Sequence, residues 1–166
     1  MTKTAETLLE LLAAGADDAT AIAAPGRTPL SYRALRAFLA ETQASLRELG
    51  AGCNERVAIV LPNGPEMAVS FLAVAWGCAA APLNPTYRAE EFEFYLSDLD
   101  ARLLLVEAGR PCPAIEVAQR LGVAVVDLTP TRERGAGTFR LESRERSPRA
   151  AAAEPARPED AALVLH

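Results

Sequence analysis

The chain has 166 residues, half of them hydrophobic and 23% charged, with a net charge of -5 and a pI near 5.0. That length holds one domain with a real core, or a piece of a larger one, and the composition is globular, not disordered. The acidic balance excludes a general nucleic-acid binder, whose phosphate contacts need a basic surface.

Leucines at 8, 9, 11 and 12 followed by Gly15 predict a short helix over Thr7 to Ala14. "TAIAAPGRTPLSY" reads as two extended segments around a Pro-Gly turn, a small edge hairpin. Ser31 is a good N-cap, and Leu35, Phe38, Leu39, Leu46 and Leu49 recur at helical spacing until Gly50, which predicts a long amphipathic helix. "RVAIVLP" from Arg56 is the continuous apolar run of a strand buried on both faces. After the "NGPEM" turn, a helix is expected over residues 65–79 and a short strand at "APLNP". "RAEEFEFYLSDLD" then predicts a helix, "RLLLVE" a strand, "PAIEVAQRLG" a helix and "VAVVDL" a strand. Such alternation means βαβ units in an α/β fold, a mostly parallel sheet with helices on both faces.

From Thr129 to Asp160 the pattern breaks, with six arginines between Arg132 and Arg149 against three glutamates. We read this segment as a solvated linker in preference to an anion-binding loop, since no aromatic or glycine cradle accompanies the charges. The chain then closes on "EDAALVLH", where Ala162 to Leu165 form an apolar run of the kind that buries as a strand. Domain termini are usually polar and loosely held, so this stretch is expected to be the interior of a larger unit. Alone, such a piece would expose apolar surface and tend to form homo-oligomers.

Cys53, Cys78 and Cys112 are odd in number and form no Cys-x-x-Cys pair, so they read as buried thiols of a reducing compartment. The first residues carry acidic groups where a secretory signal needs a basic tip, and the apolar stretch from Met67 to Leu83 meets Pro82 before it could span a bilayer. A cytoplasmic protein without a membrane span is expected. With one histidine, His166, the chain has no His-rich metal site.

Open parallel sheets bind ligands at the carboxyl ends of their strands. "LPNGPE" is not a dinucleotide fingerprint, no Gly-Lys-Ser/Thr loop occurs, and "RGAGTF" at 134–139 does not link a clear strand to a helix. Glu90, Glu91, Glu93, Asp98 and Asp100 read as a solvated helix face and its end, not as an acid-base pair.

Taken in order, "LSYRAL", "LRELG", "ERVAIVLPNGPEM", "FLAVAWGCAAAPLNP", "EEFEFYLSD" and "ARLLLVE" closely resemble the beginning of the AMP-forming acyl-CoA synthetases, the adenylate-forming superfamily. Each block is only a packing pattern; their succession from Thr7 to Leu128 carries the resemblance. "PLNP", with Asn84, looks more like the CoA ligases than the peptide-synthetase adenylation domains, and "EEFEFYLSD" with "ALVLH" is similar to oxalate-CoA ligases and their fatty-acid ligase-like relatives.

The resemblance implies an α/β N-terminal subdomain over 1–128, an Arg/Ala/Pro-rich linker or surface loop over 129–160, and at 161–166 a strand leading to a Thr/Ser/Gly-rich loop that wraps the ATP phosphates. It implies ATP, Mg2+ and CoA as cofactors of the intact enzyme, a small carboxylic acid as substrate, and the remainder of the synthetase chain as partner. His166, next to that loop, is the candidate nucleotide contact; Asn63 and Glu66, after a strand end, are the candidate substrate contacts. The preferred reading of Asn63, Gly64 and Glu66 is nevertheless structural, a turn and a helix start. No catalytic or metal-ligating residue is expected in this segment, which would be inactive alone. The alternatives are part of a peptide-synthetase adenylation domain, or a non-enzymatic α/β module docking through a sheet edge or apolar surface.

Overall fold

The computed structural model describes residues 5–145, 150–152, 154 and 156–165. A short helix, α1 (Leu8–Ala13), starts at Thr7, whose side chain accepts a hydrogen bond from Glu10 N-H. Strands β1 (Thr20–Ile22) and β2 (Leu30–Ser31) pair antiparallel as the expected edge hairpin. The Ser31 hydroxyl then accepts from Ala34 N-H and caps α2 (Tyr32–Glu48). Leu35, Phe38, Leu39, Thr42, Gln43 and Leu46 form its buried stripe, at the three- and four-residue spacing of one helix face.

Four parallel strands follow with their crossover helices: β3 (Arg56–Val60), α3 (Pro65–Ala75), β4 (Ala79–Pro82), α4 (Ala89–Asp98), β5 (Leu103–Glu107), α5 (Pro113–Leu121) and β6 (Ala124–Pro130). Proline at the start of α3 and of α5 loses nothing, because the first amides of a helix have no internal partner. The sheet order is β4-β3-β5-β6 with an antiparallel β7 (Phe139–Ser143) added at the far edge. Alternate strand residues face opposite layers. Val57, Ile59, Leu103, Leu105, Val126 and Leu128 pack against α2 and α3, while Ala58, Val60, Leu104, Val106 and Val125 pack against α4 and α5. The strands are near-continuous apolar runs because both faces are covered. Full burial of one such leucine is worth about 1.5–3 kcal/mol, so these two layers outweigh any surface ion pair.

Three expectations need correction. The segment 129–160 is not a linker throughout. The boundary expected after Leu128 falls inside β6, and residues 131–143 form a short 3-10 turn (Arg132–Arg134) and β7. Phe139, 3% exposed, packs edge-on against Phe38 with ring centroids 5.1 Å apart. Phe139, Leu141 and Ser143 alternate with exposed Arg140 and Glu142, the period-two pattern of a half-buried strand hidden within an arginine-rich stretch. Residues 161–165 do not form a full strand: they make one parallel bridge, Leu163 beside Ala80. Of the three free thiols, Cys78 is buried, whereas Cys53 and Cys112 are only partly so. Among the described residues no helix is long and apolar enough to cross a membrane.

Candidate functional site

The strand order locates the first place to look. From β3 the chain leaves toward α3 on one face, and from β5 toward α5 on the other, so a crevice opens between the carboxyl ends of these neighbouring strands. Residues 61–64 and 108–112 form its two sides, and the β4 end at Leu83 and Asn84 continues the rim. Asn84 is spent on local order: its Oδ1 accepts from the backbone N-H and the hydroxyl of Thr86, 3.0 and 2.9 Å away. Next to it Tyr87 stacks on Tyr95, and the hydrogen bond with Tyr95, then burial, hold the Tyr87 phenol above its ordinary pKa.

Asn63 is exposed on this rim, one residue before the Gly64 cap of α3. Glu66 lies on the first turn of α3, with its carboxylate 2.5 Å from the Arg27 guanidinium. The side chains are 13% and 18% exposed, so the pair is well shielded from solvent. Arg27 comes from the β1–β2 hairpin, and its Nη2 also donates to the Gly135 carbonyl at 3.4 Å; its buried Nε has no partner among the described residues. The structure therefore leaves Asn63 facing solvent and commits Glu66 to an ion pair.

"RGAGTF" explains this local rigidity. Ala136 N-H donates to the Thr28 carbonyl at 2.8 Å, and Thr131 and Thr138 close the turn through their hydroxyls at 3.0 Å. Gly137 adopts a φ of +81°, and a Cβ there would come within 2.4 Å of Val69 and 2.8 Å of the Pro65 carbonyl oxygen. Gly137 thus lets the turn lie directly on the start of α3, while Gly135 lies against Thr28 and Leu30 of the hairpin. The arginines follow the structural reading: Arg134 pairs with Glu41 at 3.0 Å, and Arg144 grips both carboxylate oxygens of Asp127 at 2.7 and 2.8 Å. The Arg134 pair holds the Glu41 carboxyl below its ordinary pKa.

Three of the carboxylates on and after α4 also have structural partners in plain view. Glu91 accepts from Arg88 N-H at the helix start, Glu93 pairs with Arg120 at 3.0 Å, and Asp100 pairs with Arg56 at 3.3 Å. No group of three metal-ligating side chains occurs among the described residues. The rim does not fit nucleotide phosphates by itself. Its Gly64 turn is a single glycine in extended conformation, and the Glu66 carboxylate beside it would repel an anion. His166 lies outside the described residues.

At the opposite, amino ends of the strands the surface is concave. One cavity of about 120 Å³ is lined by Thr7, Cys53, Asn54, Trp76, Cys78 and Asp160. Burial pushes the Cys78 thiol up to about 12 and raises Cys53 as well, so neither is a ready nucleophile. Sequence reasoning missed Arg27 and Asn54. Arg27 reaches its partner 39 residues away, which no local pattern announces. Asn54 sits in a left-handed conformation at φ 62°, and the turn between Gly52 and Arg56 was its only local sign.

The sequence model of the AMP-binding enzyme family matches residues 9–166. The oxalate–CoA ligase of Arabidopsis thaliana is 39% identical over 74% of this chain and 24% of its own length. Probable CoA ligase CCL9 of Humulus lupulus is 36% identical over 96% of this chain and 31% of its own length. Nonribosomal peptide synthetases also occur among the relatives. The chain spans about a quarter to a third of the length of these two CoA ligases and only 1% of each of the two peptide synthetases. The crystal structure of apo MatB from Rhodopseudomonas palustris superposes with a TM-score of 0.73 at 23% identity, covering 96% of this chain and 32% of that one, a likeness of fold.

Proposed function

Since the chain belongs to the AMP-binding enzyme family, we propose that it forms the N-terminal portion of an ATP-dependent carboxylate–CoA ligase and is inactive by itself. The observation that carries this reading is the family match over nearly the whole chain, supported by CoA ligases among the relatives. In such a reaction a carboxylate oxygen would attack the α-phosphorus of ATP and displace pyrophosphate, giving an acyl-adenylate from which the CoA thiol would displace AMP, while Mg2+ would balance the phosphate charge.

The role proposed for this chain's own residues is presentation. The parallel sheet forms a floor, and the Arg27–Glu66 pair fixes the start of α3 next to the crevice. Asn63 is the exposed polar group there and the candidate substrate contact; Glu66 acts through its ion pair. His166 is the candidate nucleotide contact. A small carboxylic acid is the proposed substrate class, with oxalate and fatty acids the first to try because an oxalate–CoA ligase is among the relatives. A cytoplasmic location is proposed on the odd number and scattered spacing of the three cysteines.

The peptide synthetases among the relatives favour one alternative, an adenylation domain that loads a carrier-protein thiol. Asn84 argues against it. The test is ATP–pyrophosphate exchange with oxalate and a fatty-acid panel, on protein whose intact mass has been measured. The expected result is no exchange from a 17.6 kDa chain and carboxylate-dependent exchange, with CoA as acceptor, from a longer polypeptide carrying this sequence. Exchange from the 17.6 kDa chain would refute the location of the site. Transfer to a carrier protein and not to CoA would select the alternative.

A further inference from the structure

The described residues after 149 run along the amino ends of the strands before turning up beside β4. Ala151 N-H donates to the Arg47 carbonyl at the end of α2, and the Cys53 thiol reaches the Glu154 carbonyl. At the edge of the sheet, Ala80 N-H donates to the Ala162 carbonyl and Val164 N-H donates to the Ala80 carbonyl, each at 2.9 Å. Leu163 is 43% and Leu165 69% exposed, so apolar burial is a weak reason for the stretch to dock in this register. Only Val164 joins the core under α4 and α5, and a slip of one residue would turn it outward.

Asn54 supplies a specific reason. Its positive φ turns the side chain toward the strap, where Nδ2 donates to Asp160 Oδ1 at 2.9 Å and Oδ1 accepts from Ala161 N-H at 3.2 Å. Asp160 Oδ2 in turn accepts from Arg157 N-H at 2.7 Å, closing a turn immediately before the docked stretch. Both ends of one carboxamide are matched to two consecutive residues, which fits a single register. The next residue, Glu55, accepts through its carbonyl from Ala79 N-H at 3.0 Å, so the clamp and the ladder share one frame.

We propose that Asn54 is a positioning residue whose carboxamide sets the register of residues 161–165 along β4 and so aims the chain that follows Leu165. Its consequence for nucleotide binding rests on the function proposed above; the register assignment itself does not.

Site-resolved amide hydrogen exchange on the 166-residue chain tests it. Asn54→Gly tolerates the positive φ and removes the carboxamide, and should speed exchange of the Ala80 and Val164 amides about tenfold while leaving Ala79 unchanged. Asn54→Asp should do the same, because two carboxylates would then face each other with no donor between them. Adding Asp160→Asn to Asn54→Asp should restore protection, since the donor is now on position 160 and every hydrogen bond has a counterpart. A role in bulk or backbone alone would not produce that rescue. Unchanged exchange in Asn54→Gly, failure of the double variant to recover, or Ala79 opening in step with the other two would each overturn the assignment. A longer chain without ATP–pyrophosphate exchange would refute the proposed function and leave these results standing, so the two fail separately.

Discussion

The two edges of the sheet are closed by different means. At one, β7 makes a five-residue antiparallel ladder with β6, turns Phe139 and Leu141 inward, and faces solvent with Arg140 and Glu142. At the other, β4 is Ala-Ala-Ala-Pro, and among the described residues its outer side holds a single bridge to Leu163. A charged, alternating strand discourages further pairing, whereas a short apolar edge held by one bridge depends on whatever chain lies beside it. The β7 edge is thus fixed by packing, and the β4 edge by a few polar contacts made some distance away.

Removing the packing at the β7 edge should have the largest effect. Phe139→Ala takes away a buried ring in contact with Phe38 and should cost about 3–5 kcal/mol of unfolding free energy in urea titration. A loss below about 1 kcal/mol would mean that the β7 edge is no better anchored than an ordinary surface strand. Gly137→Ala comes next, at about 2–4 kcal/mol, because it combines a disfavoured φ with a Cβ driven into Val69 and the Pro65 carbonyl. Full stability in that variant would show that the turn can lift off α3, and that the buttress under the rim is not rigid.

The edges also differ in how far the sequence announces them. The strands β3 to β6 were legible because burial on both faces demands continuous apolar runs, and "RVAIV" and "LLLVE" are such runs. The strand β7 was present as Phe-Arg-Leu-Glu-Ser, but four arginines from Arg132 to Arg144 drew attention to charge and away from alternation. For the rim, the sequence indicated Asn63, Gly64 and Glu66 as the residues after a strand end. It was silent on Arg27, which occupies Glu66 from a hairpin far back in the chain. Local patterns report which side of an element is buried; they do not report which distant cation meets a given carboxylate.

Acid is the mildest way to separate the edges, since it should loosen β4 while the packing of Phe139 and Leu141 holds β7 even without the Arg134–Glu41 and Arg144–Asp127 pairs. The Arg157 N-H, and then the Asn54 amide, hold the Asp160 carboxyl below its ordinary pKa when the strap is docked. A carboxyl depressed in the docked state favours docking above its ordinary pKa, and that contribution is lost as the pH falls through the lower, docked value. Protection of the Ala80 and Val164 amides relative to Ala79 should therefore hold at neutral pH and decline only below about pH 4. Arg157, Glu154, Cys53 and Arg47 are the neighbouring charged or titratable groups, and Cys53, its pKa raised, stays a neutral thiol throughout this range. Glu154 is a second carboxylate close to the strap, so Asp160→Asn serves as the control and should abolish the decline. Protection lost already between pH 7 and pH 5 would assign the dependence to a group other than Asp160, because its carboxyl is ionised there whether the strap is docked or released.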